Sequence, residues 1–316
     1  MARIAEASDH PDLGPISEYS PSKLKKVSPA TGVPSFGNLD IEIETAIRTF
    51  WCYFRPRERP SFTPSLLTDL AEMQRSLKGL FIGRDADDPP IRYFVVGSRS
   101  SGIFNLGGDL PLFAALIRNR DSKRLHDYAR SCIDVIYDNA VAYSLPIVTI
   151  AMVQGDALGG GFEAALSCNI IVAERSARFG LPEVLFNLFP GMGAYSFLSR
   201  RLGPRAAEKM IVGGRVYEAV ELHAMGLVDI LAEDGEAPAA VRSYIVRHGR
   251  RHNAEQSVYR VGRRVNPIEY RELSDIIAMW VEAALRLTEH DLRKMERIMT
   301  AQNRRWGTRS PYSATV

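Results

Sequence analysis

The sequence predicts an α/β core followed by a helical C-terminal section. Three observations carry that expectation. Short β-branched runs such as Arg92–Val96 and Ile147–Val153 alternate with stretches of helical periodicity up to about Leu231. Each of two runs ends in a glycine-rich turn that opens into a helix, as strand–turn–helix units do. After Asp234 strand signals stop, and Pro238–Val261 and Pro267–Arg304 read as helix alone, with Leu273, Ile276, Ile277, Trp280, Ala284, Leu285 and Leu292 at helical intervals. The chain divides accordingly into an N-terminal arm (1–37), an α/β core (38–235) and a helical section (236–316).

The arm is rich in Pro, Ser and Lys without sustained periodicity, and disorder or a surface strap is expected there. Leu39–Tyr53, dominated by Ile, Thr, Phe and Trp, reads as a strand or hairpin. Pro64–Leu80 carries Leu66, Leu67, Leu70, Met73 and Leu77 on one helical face, with Gly79 as a stop signal. Arg92–Val96 is a short buried strand. Phe104-Asn-Leu-Gly-Gly-Asp-Leu110 is a glycine turn opening a helix with Leu112, Phe113, Leu116 and Ile117. Lys123–Tyr143 is a further helix, and another lies near Tyr195–Leu202. Ala219–Leu231 reads as helix, turn and last strand, broken at Gly226.

Composition narrows the function classes. Hydrophobic content of 46% and charged content of 24% are those of an ordinary globular protein, and a net charge of +3 is too small to argue for nucleic acid or an anionic membrane. The arginine clusters in Arg247–Arg251 and Arg260–Arg264 read as solvated helix faces. Cys52, Cys132 and Cys168 lack metal-ligand spacing and fit reduced thiols of a cytoplasmic protein; the six histidines do not converge, so no metal is expected. No apolar signal core follows Arg3, which argues against secretion. The most apolar stretch, Pro146–Ala173, carries Gln154, Asp156 and Glu163 near its middle, and a central acid costs roughly 3 kcal/mol in a bilayer. It reads as protein core rather than a membrane span.

That stretch holds the chemistry. Glu163 stands two residues past Gly159-Gly-Gly161 in oily sequence, and a buried charge without partners is expensive. Gly159-Gly-Gly-Phe-Glu-Ala164 also fits a dinucleotide-binding pattern, with Glu174 as the ribose acid. Against this, Glu174 follows Gly159 by only 15 positions where about 20 or more is usual, and the intervening helix is too short for a crossover. A phosphate loop fails because no Lys-Ser/Thr follows the glycines. The other reading uses the free amides at the start of a helix, which stabilise an anion developing on a carbonyl oxygen. Two such turns, one at Leu106-Gly-Gly-Asp109, could form an oxyanion hole; tight turns of purely structural role are the alternative. A second acid, Glu183, follows Glu163 by 20 residues and is stiffened by Pro182. Two glutamates in apolar surroundings have raised pKa values, as proton transfer near neutral pH requires; helix-cap or surface roles are the plain alternative.

Taken together, Phe104–Leu110, Gln154–Glu163, Phe179-Gly-Leu-Pro-Glu-Val184, Pro190-Gly-Met-Gly193 and Ala224-Met-Gly-Leu-Val228 resemble the crotonase (enoyl-CoA hydratase/isomerase) superfamily across roughly Leu39 to Leu231. Gly-Gly-Gly-Phe-Glu-Ala-Ala-Leu-Ser-Cys168 and Leu181–Phe197 resemble one branch further, the bacterial diffusible signal factor synthases, and that similarity runs on to Ile277-Ala-Met-Trp280. The resemblance implies a ββα superhelix core of stacked sheets flanked by helices. It implies Glu163 and Glu183 as catalytic carboxylates and the amides of Leu106 and Gly160 as the oxyanion hole. Gly159, Gly161, Phe186, Leu188, Met192 and Trp280 are expected around the substrate. Leu106 stands where the superfamily often has alanine, and its side chain is expected to narrow the pocket.

The implied activity is dehydration of a 3-hydroxyacyl thioester on acyl carrier protein, then hydrolysis to a cis-2-unsaturated fatty acid used in quorum sensing. No cofactor is required beyond the acyl carrier, protein or coenzyme A. Ser167 lacks a nucleophile-elbow context, so a carboxylate-activated water is the expected attacking group. Family habit implies a homotrimer or hexamer, with no nucleic-acid partner and no membrane insertion. Two other readings stay open: a coenzyme A-dependent hydratase or isomerase using the same glutamates, and a binding protein that restrains a sensor kinase.

Overall fold

The computed structural model describes residues 33–85 and 88–307; most of the arm expected at 1–37 lies outside them. The arm's last residues are packed, with Val33 and Phe36 buried in the core. Among the described residues, ten strands form two sheets. The larger has the order β1 (Leu39–Glu44), β2 (Thr49–Phe54), β3 (Tyr93–Ser98), β5 (Val148–Val153), β7 (Ile170–Glu174), β10 (Ile230–Ala232). Only the β1–β2 pair in it is antiparallel, which bears out the hairpin expected at Leu39–Tyr53. The smaller sheet has the order β4 (Gly102–Asn105), β6 (Gly155–Leu158), β8 (Arg178–Gly180), β9 (Val216–Glu218), parallel except at β9.

The large sheet is buried on both faces. Along β5, Val148, Ile150 and Met152 join Trp51, Tyr93, Val172 and Val241 on one side. Ala151 and Val153 face the main core with Phe94, Ile171 and Phe162. This period-two split explains why β5 reads as an unbroken apolar run. Helices α1 (Pro64–Gly79), α2 (Leu110–Arg118) and α3 (Ser122–Ala140) begin at Thr63, Asp109 and Asp121, whose side chains accept the Leu66, Leu112 and Arg124 amides. The core continues through α4 (Gly160–Leu166), α5 (Ala194–Leu202), α6 (Pro204–Gly213) and α7 (Ala219–Ala224). The helical section is α8 (Ala237–His248), α9 (His252–Val265), α10 (Tyr270–Ala284) and α11 (Glu289–Gly307).

The smaller sheet and α6 are where the structure exceeds the expectation. Strands of three or four residues are too short to show a period, and half of the stretch read as a glycine turn, Gly155–Leu158, is strand. Their placement matters more than their length. A strand of the large sheet hands the chain to the small one three times, at β3–β4, β5–β6 and β7–β8. Parallel β4, β6 and β8 then end side by side, and from their carboxyl ends come the turn 106–109, the start of α4, and the 3-10 turn Pro182–Phe186. Three segments far apart in sequence are thereby brought to one edge.

No helix among the described residues is long and apolar enough to cross a membrane, and no group there of three His, Cys, Asp or Glu could hold a metal ion. All three cysteines are buried free thiols.

Candidate active site

At the shared edge lies a narrow pocket with a cavity volume of about 50 Å³. Glu163 and Glu183 both line it, with Gly159 and Gly160 between them and an apolar wall that includes Phe113, Phe186, Leu188, Met192 and Trp280. Phe186, Leu188, Met192 and Trp280, expected around the substrate, all line it, and the helical section takes part: Trp280 comes from α10 and Gln302 from α11. Trp280 packs edge-on against Phe113 at 5.0 Å and closes over Gly191, where a Cβ would come within 2.7 Å of the indole.

The two carboxylates are held differently. Glu163, on the first turn of α4 and 1% exposed, has one oxygen accepting the amides of Met192 (2.7 Å) and Ala194 (2.9 Å) at the start of α5. Gly193, at φ +108°, lets the chain turn both amides inward. Glu183 has no such support: its Oε2 is buried without a hydrogen-bond partner among the described residues. Its Oε1 hangs over Gly159, where a Cβ would come within 2.4 Å of it. Burial raises both pKa values. Glu163 is pushed up to about 7, its two amides pulling back against burial. Glu183 rises to about 8, by burial first and then by the charge of Glu163.

Free amides complete the site. Gly160 is the first residue of α4, and its N–H has no partner among the described residues. The second donor is not the one expected. Leu106 donates its amide to Pro60 O at 2.7 Å, so it is not available to a ligand. Gly107 donates to the Asn105 side chain (2.8 Å) and Asp109 to the Tyr128 hydroxyl (3.1 Å). In this turn only the Gly108 amide is left without a partner, and Gly108 lines the pocket. Leu106 lines the pocket nonetheless. The bond to Pro60 spans 46 residues, and nothing local in the sequence signals it. A hint lay in Gly107, whose φ of +92° reverses the backbone between the two candidate amides.

Gly161 is the other correction. It does not line the pocket; it lets α4 lie against β4, since a Cβ would come within 2.1 Å of Asn105 O. Phe113, Tyr128 and Gln302 are pocket residues that sequence reasoning did not assign to the site. The rejected alternatives stay outside it. Glu174 accepts the amide of Ala237 at 3.4 Å, and Ser167 is buried in hydrogen bonds to Ala164 O and Asn139 (both 2.6 Å).

Paired buried carboxylates beside two unpartnered backbone amides in an apolar pocket are the parts that acid–base chemistry next to a carbonyl requires. The chain belongs to the enoyl-CoA hydratase/isomerase family, whose model matches residues 55–248. It is 35% identical over 166 residues to a probable mitochondrial enoyl-CoA hydratase 2 of Arabidopsis thaliana, covering 52% of each chain. It is 36% identical over 156 residues to mouse mitochondrial methylglutaconyl-CoA hydratase, covering 49% of this chain and 48% of that one. The chain thus spans about half the length of the curated relatives it matches. Among solved structures, human mitochondrial delta3-delta2-enoyl-CoA isomerase superposes with a TM-score of 0.69 at 16% identity, covering 85% of this chain and 99% of that one, a likeness of fold.

Proposed function

We propose that the pocket interconverts 3-hydroxyacyl and 2-enoyl thioesters through an enolate held by the amides of Gly108 and Gly160. The observation that carries this is the pair of buried glutamates, unequally anchored, on one apolar pocket with those two amides. Two carboxylates whose pKa values are raised by burial, that of Glu183 also by the charge of Glu163, hold one proton between them near neutral pH. At rest the charge sits on Glu163, which has two amide donors from the start of α5, and the proton on Glu183, which has only its own backbone amide and a buried Oε2 without a partner among the described residues. In the hydration direction Glu163 takes a proton from water as its oxygen bonds to C3, and Glu183 delivers its proton to C2. Dehydration reverses each step and starts from the other form of the pair, with the shared proton on Glu163: ionised Glu183 takes the C2 proton, the C3–O bond breaks, and the oxygen leaves as water with the proton from Glu163.

The motif similarity to the diffusible signal factor synthases supports a finer reading. The substrate would be a long 3-hydroxyacyl group on acyl carrier protein, and the thioester is then hydrolysed. Water attacks the carbonyl, the same two amides receive the oxyanion, and a glutamate takes the water's proton and passes it to the sulfur as the C–S bond breaks, which releases the carrier thiol and a cis-2-enoic acid. The apolar wall, with Leu106 in place of a smaller residue, suits such a chain. The rival, a coenzyme A hydratase, is favoured by the names of the curated relatives. Incubation with 3-hydroxydodecanoyl groups on carrier protein and on coenzyme A, followed by mass spectrometry, separates them. Free cis-2-enoic acid from the carrier protein supports the synthase. An enoyl ester that stays on coenzyme A supports the hydratase, and no elimination from either thioester contradicts both.

A further inference from the structure

We propose that Tyr128, on α3, is a positioning residue that aims the Gly108 amide into the pocket; this rests on the enolate reading above. A Gly-Gly pair has wide backbone freedom, so the direction of the Gly108 N–H needs an external cause. The peptide plane that carries this N–H also carries the Gly107 carbonyl, and the two point in opposite directions. Phe62 donates its amide to Gly107 O at 2.8 Å, which turns the Gly108 N–H away from Phe62 and toward the pocket. The next plane holds the Asp109 N–H, which donates to the Tyr128 hydroxyl at 3.1 Å. The same hydroxyl donates to Phe62 O at 2.5 Å. One phenol therefore ties the plane after Gly108 to the residue that orients the plane before it. With both planes fixed, Gly108 has no rotation left by which its amide could swing away.

The phenol suits this task. Burial pushes its pKa well above the ordinary tyrosine value, so it remains a neutral group that donates once and accepts once. Its ring stands edge-on to Phe113 at 5.1 Å, and Phe113 covers Gly108 so closely that a Cβ there would come within 2.6 Å of the ring. Tyr128 lines the pocket but has no part in the proton transfers assigned to Glu163 and Glu183.

Tyr128→Phe keeps the ring and removes both bonds. The expected result is a kcat lower by about 10- to 100-fold, with KM within about threefold, because a misdirected oxyanion donor loses transition-state stabilisation rather than ground-state binding. A 3-oxoacyl thioester gives a second readout, since its enolate absorbs in the near ultraviolet and forms only where the oxyanion is stabilised. The wild-type protein should show the band and Tyr128→Phe should lose most of it. Gln74→Ala is the control: it removes a buried bond of 2.9 Å to Val135 O and destabilises the same helix pair without touching the turn. It should keep both kcat and the band. Replacing Tyr128 by 3-fluorotyrosine, which retains the hydroxyl, should restore turnover. A band of equal strength in wild type and Tyr128→Phe overturns the proposal alone, as does an equal loss in Gln74→Ala. A wild-type protein with neither band nor turnover overturns the enolate reading and the proposal with it.

Discussion

Glu163 and Glu183 are the same residue type on the same pocket, yet the protein treats them in opposite ways. Glu163 is locked to α5 by two backbone amides, while Glu183 has a buried oxygen that nothing in the described structure satisfies. An unpartnered buried polar atom is destabilising by about 1–3 kcal/mol. The difference teaches how one fold separates two like groups. In the proposed mechanism, donors around Glu163 keep its charge, their scarcity leaves the proton on Glu183, and the pair acts as a base and an acid.

The comparison can be broken most sharply by removing each carboxylate in turn. Glu163→Gln and Glu183→Gln should each lower kcat by about 10²–10⁴-fold in a thioester elimination assay. Their stabilities should part. Glu163→Ala strands the Met192 and Ala194 amides and should cost about 2–3 kcal/mol in urea melts, whereas Glu183→Gln, at a group whose Oε2 has no partner to lose, should lie within about 0.5 kcal/mol of wild type near pH 5. Equal losses would mean that the anchoring does not distinguish them.

Next in size is Gly159→Ala, which asks a residue at φ +52° to accept a Cβ pointing at Glu183 Oε1. It should displace that carboxylate and lower kcat by roughly 10²-fold, since misplacement of a reacting group by about 1 Å costs that much. Trp280→Leu leaves both glutamates alone and opens the wall opposite them. It should change acyl-chain preference by about 10-fold, read from competing substrates of different length. The smallest effect is on pH dependence. With its folded pKa raised toward about 8 from an ordinary 4.5, Glu183 contributes stability that is fully present below about pH 4.5 and lost as the pH rises toward 8. Thermal melts of Glu183→Gln should therefore fall less steeply than wild type across that window, while Glu163→Gln should flatten it less.

Much of this site could be read from the chain, for identifiable reasons. Glu163 and Glu183 stand out because acids are rare in apolar sequence, and the middle glycine of the triple is marked by the helix that starts there. The α/β core and the late helices follow from strand runs that stop near Leu231. What could not be read depended on contacts between distant segments. The small sheet is made of strands too short to carry a period. The Leu106 amide is taken by Pro60 O and the Gly108 amide is not, and the bond to the Asp109 amide reaches the turn from Tyr128 on another helix. Gln302 enters the pocket through the packing of α11.

The most direct test of the account is a single incubation of 3-hydroxydodecanoyl thioester, on carrier protein and on coenzyme A, with wild type, Glu163→Gln and Glu183→Gln, the products identified by mass spectrometry. The account predicts a 2-enoyl product from at least one thioester with wild type and a loss of at least about 100-fold in both variants. Wild-type rates in either variant would contradict it.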